Sequence, residues 1–157
     1  MPRKILSLNR LLLERARLRA AGQKLVFTNG VFDILHVGHV RYLEQARALG
    51  DRLLVAVNSD ATVRELKGQG RPLMNQDERA EILAALRTVD YVTIFDDDTP
   101  SAALARLRPD VHVKDEDYRF APMPEREIVE AAGGRIEFCV RLREWSTTSL
   151  VEVITAA

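Results

Sequence analysis

Short β-branched runs alternate along this chain with longer stretches in which apolar residues recur at helical spacing. Runs that are apolar on both faces are typical of parallel strands covered by helices on each side. The alternation therefore predicts a Rossmann-like α/β domain, with a doubly wound, parallel, five-stranded sheet as the middle of three layers. The predicted strands are residues 25–28, 53–57, 91–95, 111–114 and 136–140.

Seven stretches around these strands have the apolar spacing of helices. Asn75 or Gln76 is expected to cap the fourth helix, because Asp77 and Glu78 place acidic charge in its first turn. Before that helix, residues 67–75 hold two glycines and a proline, which predicts a mobile loop. The predicted helices are residues 8–21, 39–49, 61–66, 77–86, 101–107, 125–132 and 149–155.

Length and composition restrict the class of protein. A chain of 157 residues suits one domain, residues 1–157, with residues 1–22 forming a first helix packed on it. Its 23 basic and 23 acidic side chains cancel, which argues against a protein that binds nucleic acid through phosphate contacts. A single cysteine excludes an internal disulfide, and no apolar run approaches the roughly 18 residues of a membrane span. We therefore expect a cytoplasmic protein with no membrane and no nucleic-acid partner.

Several common signatures of nucleotide sites and hydrolases are absent from the sequence. No Gly-x-Gly-x-x-Gly follows the first predicted strand, so dinucleotide redox chemistry loses its main support. No Gly-x-x-x-x-Gly-Lys-Ser/Thr loop is present to hold phosphates, and no serine lies in a Gly-x-Ser-x-Gly elbow. Ligands of doubly wound sheets bind beyond the carboxyl ends of the strands. The candidate residues are therefore the polar ones that directly follow each strand.

The segment after the first predicted strand carries the strongest chemical signal. Two of the three histidines, His36 and His39, lie there three residues apart, with Gly38 between them at the start of a helix. A helix N-terminus offers unpaired N–H groups and partial positive charge, which attract phosphate. Neutral imidazoles on one face of that turn can donate hydrogen bonds to phosphate oxygens, and a glycine lets phosphate approach the backbone. The spacing thus indicates a phosphate-binding turn.

Other interpretations fit this segment less well. Histidines three apart form half of a zinc site, yet the sequence shows no third cluster of ligands and lacks the glutamate of a zinc-protease motif. Core or solvated histidines without a function are the remaining alternative. Two roles stay open for Asp33, which either caps a turn or orients the site. Asn29 and Gly30 permit a sharp exit from the strand.

Residues 30–39, with their His-x-Gly-His motif, resemble the signature of the cytidylyltransferase-like nucleotidyltransferases. Within that superfamily, further segments are similar to the adenylyltransferases that make ADP-activated heptose. The resemblance covers nearly the whole chain. The segments that carry it are residues 26–30, 42–51 and 55–60, Lys67-Gly68, Arg71-Pro72, Glu78-Arg79 and Ser146-Thr147-Thr148.

The resemblance implies a reaction in which heptose 1-phosphate and ATP give ADP-heptose and pyrophosphate. It implies His36, His39 and Lys67 as catalytic residues, Mg²⁺ as the companion of ATP without a metal site built from protein side chains, and a homodimer. The residues expected to bind the nucleotide are Thr28, Asn29, Gly30, Phe32, Asp33, Gly38, Lys114, Asp117, Ser146, Thr147 and Thr148. Those expected to bind the sugar phosphate are Asn58, Asp60, Arg71 and Arg79.

One stretch departs from the pattern of related enzymes. They usually carry small residues, often two glycines, after the lysine of the fourth strand, where this chain has Asp115 and Glu116. Glycine there suits a close approach of backbone to nucleotide, whereas two carboxylates either accept bonds from a base amino group or repel phosphate. We expect weaker or altered base selectivity. Two alternative functions stay open: a CTP-dependent cytidylyltransferase for glycerol 3-phosphate or another phosphorylated alcohol, and a catalytically impaired nucleotide-binding homologue.

Overall fold

The computed structural model describes residues 4–97, 99–140 and 146–157. The described strands are β1 (Leu25–Gly30), β2 (Arg52–Asn58), β3 (Tyr91–Phe95), β4 (Val111–Asp115) and β5 (Arg135–Cys139). The described helices are α1 (Leu8–Ala20), α2 (Val37–Arg47), α3 (Asp60–Lys67), α4 (Gln76–Ala85), α5 (Ser101–Leu107), α6 (Glu125–Ala131) and α7 (Thr147–Ala156), with a 3₁₀ turn at Glu116–Tyr118.

The strands form one parallel sheet in the order β3-β2-β1-β4-β5. Strand β1 lies at the centre of the sheet, with β2 and β3 following on one side and β4 and β5 on the other. Thr28 of β1 accordingly pairs with Val55 of β2 on one side and with Val113 of β4 on the other. The order reverses between β1 and β4, and ligands of such sheets bind beside that switch point. The predicted doubly wound fold is confirmed.

Neighbouring residues of the central strands face two different apolar layers. Val26 and Val55 belong to the cluster that includes residues of α2 and α4. Phe27 and Leu54 belong to the cluster that includes residues of α1, α5 and α6. All four side chains are fully buried, which explains why the strands are continuously apolar instead of alternating. The prediction of three layers is confirmed.

The ends of some elements differ slightly from the predicted ones. Of the two predicted caps of α4, Asn75 is the residue found, because its side chain accepts the N–H of Glu78 at 3.0 Å. The strand β5 ends at Cys139, one residue earlier than predicted. The backbone N–H of Val140 instead donates to the side chain of Gln45 on α2, so a contact with a helix ends the strand.

The predicted first helix is present as α1, which packs through Leu11 and Leu18. Its buried Arg15 joins α1 to the end of α5, because Nε donates to the carbonyl oxygen of Leu107 at 3.1 Å. The same guanidinium pairs with the Asp110 carboxylate at 2.9 Å. Within the described ranges, no helix has the length and apolar character needed to cross a bilayer.

Candidate active site

A cavity of about 560 Å³ lies at the carboxyl ends of β1, β2 and β4, beside the switch point of the sheet. Most of the residues predicted for the site line it: Asn29, Gly30, Phe32, Asp33, Gly38, His39, Asn58, Lys67, Lys114, Ser146, Thr147 and Thr148. The other predicted residues are not among the described lining residues: Thr28, His36, Asp60, Arg71, Arg79 and Asp117.

The start of α2 is shaped by its two histidines. His36 caps the helix, because its Nδ1 accepts the N–H of Gly38 at 3.1 Å, and Nδ1 of His39 accepts the N–H of His36 at 3.4 Å. The centroids of the two rings lie 3.9 Å apart. Since each Nδ1 is an acceptor, the neutral rings carry their hydrogen on Nε2. His39, which lines the cavity, therefore carries an Nε2–H donor for a phosphate oxygen.

Two further features position His39. His36 is buried and is not a described lining residue, so it stabilises the turn that carries His39. The ring of Phe32 lies 5.4 Å from the ring of His39, between centroids. Phe32 has a φ of 49°, a conformation that residues other than glycine rarely adopt. A side chain at Gly30 would meet the Phe32 ring at 3.0 Å, so glycine makes room for the ring.

Asp33 fastens the loop between α3 and α4 to the segment before α2. Its buried carboxylate accepts the backbone N–H groups of Leu73 and Met74 at 2.9–3.0 Å. It also pairs with the guanidinium of Arg71 at 3.3 Å. Both roles left open for Asp33 are therefore compatible, since it caps a turn and orients a loop beside the cavity. Arg71 contacts Asp33 and does not line the cavity.

Arg79 is wholly buried at the junction of β1, β2 and α4. Its guanidinium donates to the carbonyl oxygens of Val31 at 2.6 Å, Asn58 at 2.8 Å and Met74 at 3.0 Å. It also pairs with the carboxylate of Asp60 at 2.8 Å. A buried guanidinium needs such partners for its N–H groups. Arg79 and Asp60 thus pair with each other and are not among the described lining residues, and their contact with a sugar phosphate stays a prediction.

Thr28 is also buried and is not itself a described lining residue. Its hydroxyl lies 2.9 Å from the hydroxyl of Tyr42 and donates to the carbonyl oxygen of Val113 at 3.1 Å, so it joins β1, α2 and β4. Tyr42 lines the cavity and was missed from the sequence. It lies three residues after His39 on one face of a helix, and that spacing is the signal that identifies it.

The start of α7 brings a second set of donors to the cavity. Ser146 caps the helix, with its Oγ accepting the N–H of Ser149 at 3.0 Å. Thr147 donates through Oγ1 to the carbonyl oxygen of Ile34 at 3.2 Å, which ties α7 to the segment before α2. A helix start directs partial positive charge toward a ligand. We use "α2–α7 wall" for the lining residues Gly38, His39, Ser146, Thr147 and Thr148.

The "β4 wall" consists of the lining residues Lys114, Asp115, Tyr118 and Glu125. The Lys114 ammonium lies 3.2 Å from the Glu125 carboxylate and 4.7 Å from the centre of the Tyr118 ring. The side chains of Lys114 and Glu125 are only 13% and 6% exposed. Glu125 and Tyr118 were missed from the sequence. Because Glu125 follows Lys114 by eleven residues across a loop, no local spacing signals the pair.

Burial and charge shift two pKa values beside this wall. Burial and the nearby Lys114 ammonium lower the pKa of His112 to about 4, so this fully buried imidazole is neutral near pH 7. Burial alone would raise the pKa of Glu125. A backbone hydrogen bond and the Lys114 ammonium more than offset this effect, and the pKa is lowered. Glu125 is therefore an anion beside the Lys114 ammonium.

The remaining predicted residues take different positions. Lys67 ends α3 and lines the cavity, and Gly68 after it has a φ of 88°, which allows the helix to stop. Asn58 is buried at the end of β2 and lines the cavity. Asp117 is exposed on the 3₁₀ turn, where its N–H donates to Asp115 at 3.0 Å. No cluster of three metal-ligating side chains occurs in the described part of the chain.

Comparison with known proteins identifies the family. A family model described as cytidylyltransferase-like matches residues 27–154, a span that contains both walls of the cavity. The chain belongs to the cytidylyltransferase-like family. It is a nucleotidyltransferase, and its His-x-Gly-His motif lies at the start of α2.

Two curated relatives cover most of this chain. The bifunctional protein HldE of Geobacter sulfurreducens is 52% identical over 139 residues, which are 88% of this chain and 28% of that protein. The bifunctional protein HldE of Ectopseudomonas mendocina (strain ymp) is 51% identical over 152 residues, which are 97% of this chain and 32% of that protein. The chain thus spans about three tenths of the length of these relatives.

Two solved structures share the fold. The lipopolysaccharide core biosynthesis protein from Thermoplasma volcanium GSS1 has a TM-score of 0.64 and 27% identity, with 76% of this chain and 97% of that chain covered. The pantoate-beta-alanine ligase from Francisella tularensis has a TM-score of 0.61 and 15% identity, with 96% of this chain and 76% of that chain covered. The second likeness concerns the fold alone.

Proposed function

We propose that this chain transfers the AMP group of ATP to heptose 1-phosphate and releases ADP-heptose and pyrophosphate. The identity of 51–52% with two HldE proteins supports this proposal, as does the likeness to a lipopolysaccharide core biosynthesis protein. The observation that carries it is the α2–α7 wall, where His39 and two helix starts border one cavity. Such a set of N–H and O–H donors suits a polyphosphate.

The attacking group in this reaction needs little activation. The second pKa of a phosphate monoester is about 6, so the attacking oxygen of the sugar phosphate is anionic at neutral pH. That oxygen forms a bond to the α-phosphorus of ATP, while the bond from this phosphorus to the bridging oxygen breaks. Pyrophosphate leaves with the electron pair. The protein has to align the reactants and stabilise the developing charge.

The lining residues have distinct roles in this scheme. The Nε2–H of His39 donates to the oxygen that bridges the α- and β-phosphates, where negative charge develops. The N–H groups at the start of α7, with the hydroxyl of Thr148, hold the β- and γ-phosphates. Lys67 supplies an ammonium to the acceptor phosphate or to the leaving pyrophosphate. Asn58 donates to the sugar phosphate from the end of β2.

Mg²⁺ is the proposed companion of ATP. This ion prefers oxygen ligands, keeps several waters and is bound through one or two carboxylates together with substrate phosphates. The Asp33 carboxylate borders the cavity, but it is already occupied by the N–H groups of Leu73 and Met74 and by the Arg71 guanidinium. The phosphate oxygens and water would therefore hold the ion, which when bound spreads the negative charge of the triphosphate.

The assembly and compartment are part of the same proposal. Residues 1–157 act as one domain, in the cytoplasm and as a homodimer. The single cysteine, Cys139, is buried, and burial raises the pKa of its thiol to about 11. An unreactive thiol of this kind fits a reducing compartment. Sedimentation velocity tests the assembly: a species of twice the chain mass is expected, and a monomer at all concentrations would contradict the homodimer.

A pyrophosphate-release assay tests the reaction. Purified protein is incubated with Mg²⁺ and either ATP or CTP, together with heptose 1-phosphate or glycerol 3-phosphate. We expect release only with ATP and heptose 1-phosphate, and release about 10²–10³-fold slower from a His39→Ala variant assayed in parallel. Release with CTP and glycerol 3-phosphate would replace the proposal by a cytidylyltransferase. Nucleotide binding without turnover on any acceptor would indicate an impaired homologue.

A further inference from the structure

The Lys114–Glu125 pair determines the charge of one side of the cavity. An unpaired ammonium in the β4 wall would attract the triphosphate of a nucleotide. Instead, the Glu125 carboxylate lies 3.2 Å from it, and both side chains are largely removed from water. At that distance and burial, the attraction between the two charges is screened only weakly. The pair therefore presents little net charge to a ligand.

Among the described residues of the β4 wall, none besides Lys114 carries a positive charge. His112, two residues earlier on β4, is a neutral imidazole near pH 7. Tyr118 contributes an uncharged ring at 4.7 Å from the Lys114 ammonium. Asp115 adds a carboxylate to the same wall. With Lys114 balanced by Glu125, the described residues of the β4 wall carry no unbalanced positive charge, whereas the α2–α7 wall consists of N–H and O–H donors.

We propose that Glu125 is a specificity-determining residue that acts through Lys114. Because Glu125 balances the ammonium, the β4 wall does not attract the triphosphate. The uncharged nucleoside part of the nucleotide binds there instead. The triphosphate is then bound in one orientation, with its phosphates at the α2–α7 wall. The inference rests on the proposed function, because it takes that wall as the place where nucleotide phosphates react.

The proposal has an unusual consequence for Glu125→Gln. This change removes the negative charge and keeps the size of the side chain, so the Lys114 ammonium becomes available to phosphates. Inorganic tripolyphosphate should therefore bind at least about threefold more tightly than to the unchanged protein. ATP should gain a second, unproductive orientation, with a lower KM and a lower kcat. A residue with a merely structural role would instead weaken binding.

Isothermal titration calorimetry at pH 7.5 with Mg²⁺ measures the affinity of each variant for inorganic tripolyphosphate. The matched control is Glu116→Gln, which makes the same change of charge two residues from Lys114, at an exposed position outside the lining residues. We expect tighter binding for Glu125→Gln and little change for Glu116→Gln. Weaker or unchanged binding in Glu125→Gln, or equal gains in both variants, would overturn the proposal.

A double variant keeps the proposal testable if Glu125→Gln does not fold. Lys114→Met with Glu125→Gln removes both charges, and buried ion pairs usually tolerate replacement by uncharged groups of similar volume. Because the net charge of the wall is then unchanged, tripolyphosphate affinity should equal that of the unchanged protein. A loss of tenfold or more would show that Lys114 itself holds phosphate, which contradicts the proposal.

The change in tripolyphosphate affinity does not depend on which sugar phosphate is the acceptor. Tripolyphosphate binding requires no turnover, so the direction of the change in Glu125→Gln can be measured even if heptose 1-phosphate is not the acceptor. If the unchanged protein binds neither ATP nor tripolyphosphate, the proposed function fails and this inference fails with it. If it binds both but adenylylates another acceptor, only the substrate assignment fails.

Discussion

The two walls of the cavity are built in opposite ways. The α2–α7 wall uses neutral donors: the Nε2–H of His39 at the start of α2, and backbone N–H groups and hydroxyls at the start of α7. The β4 wall uses charged groups, with a cation and an anion paired at 3.2 Å. Neutral donors bind a polyanion without the cost of burying an unpaired charge. We infer that charge orients the ligand in this site: the triphosphate binds the wall of donors, and not the wall in which Glu125 balances Lys114.

The largest expected effect lies outside both walls, at the buried arginine where β1, β2 and α4 meet. Arg79→Met removes a guanidinium that is wholly buried and leaves the carboxylate of Asp60 and three carbonyl oxygens without their donor. We expect the free energy of unfolding to fall by about 4 kcal/mol. Urea denaturation followed by circular dichroism measures it. Arg64→Met, at an exposed position of α3, is the control and should have little effect; equal effects would contradict the assignment.

The next effect concerns the chemistry of the α2–α7 wall. His39→Ala removes the Nε2–H donor, and we expect kcat to fall by about 10²–10³-fold, as for other donors to developing negative charge. The KM for ATP should change much less. Because Nδ1 of His39 also accepts the N–H of His36, the melting temperature has to be measured beside the rate. Near-normal turnover in a folded variant would remove His39 from the reaction.

A smaller effect is expected behind the β4 wall, at His112. Its pKa is about 4 in the folded protein, against 6.5 for an exposed histidine. The unfolded chain therefore binds a proton more readily between pH 4 and 6.5, and the folded protein loses stability as pH falls through that range. The loss due to His112 should reach about 2 kcal/mol at pH 5 relative to pH 7.

Comparison with His112→Leu isolates this contribution, because the carboxylates titrate in both proteins and their effect on stability cancels. Urea denaturation at pH 5, 6 and 7 should show a steeper fall for the unchanged protein than for the variant. Parallel pH dependences in the two proteins would mean that His112 is not the neutral, buried group described above.

The smallest expected effect concerns the tie between the two helix starts. Thr147→Val keeps the shape of the side chain but removes the hydrogen bond to the carbonyl oxygen of Ile34. We expect a loss of about 1 kcal/mol in unfolding free energy and a fewfold weaker affinity for ATP. Thr155→Val, whose hydroxyl bonds only within α7 among the described residues, is the control. An affinity loss of equal size in Thr155→Val would refute the tie.

The two parts of the site also differ in how far they could be predicted from the sequence. The sheet, its helices and the α2–α7 wall were predictable because their signals are local: apolar runs, the spacing of His36 and His39, and the cap at Ser146. The positions of Arg79 and Glu125 were not, because their partners are set by tertiary packing. The sequence led us to expect Arg79 at the sugar phosphate, and its bonds to the carbonyl oxygens of Val31, Asn58 and Met74 are seen only in the folded chain.

A crystal structure with a non-hydrolysable ATP analogue and Mg²⁺ shows directly which wall binds the triphosphate. We expect the triphosphate at the start of α2, with a phosphate oxygen within hydrogen-bond distance of Nε2 of His39 and others near the N–H groups of α7. We expect the nucleoside beside Lys114, Tyr118 and Glu125. A triphosphate bound to Lys114, with the α2–α7 wall empty, would show that the two walls have been assigned the wrong way round.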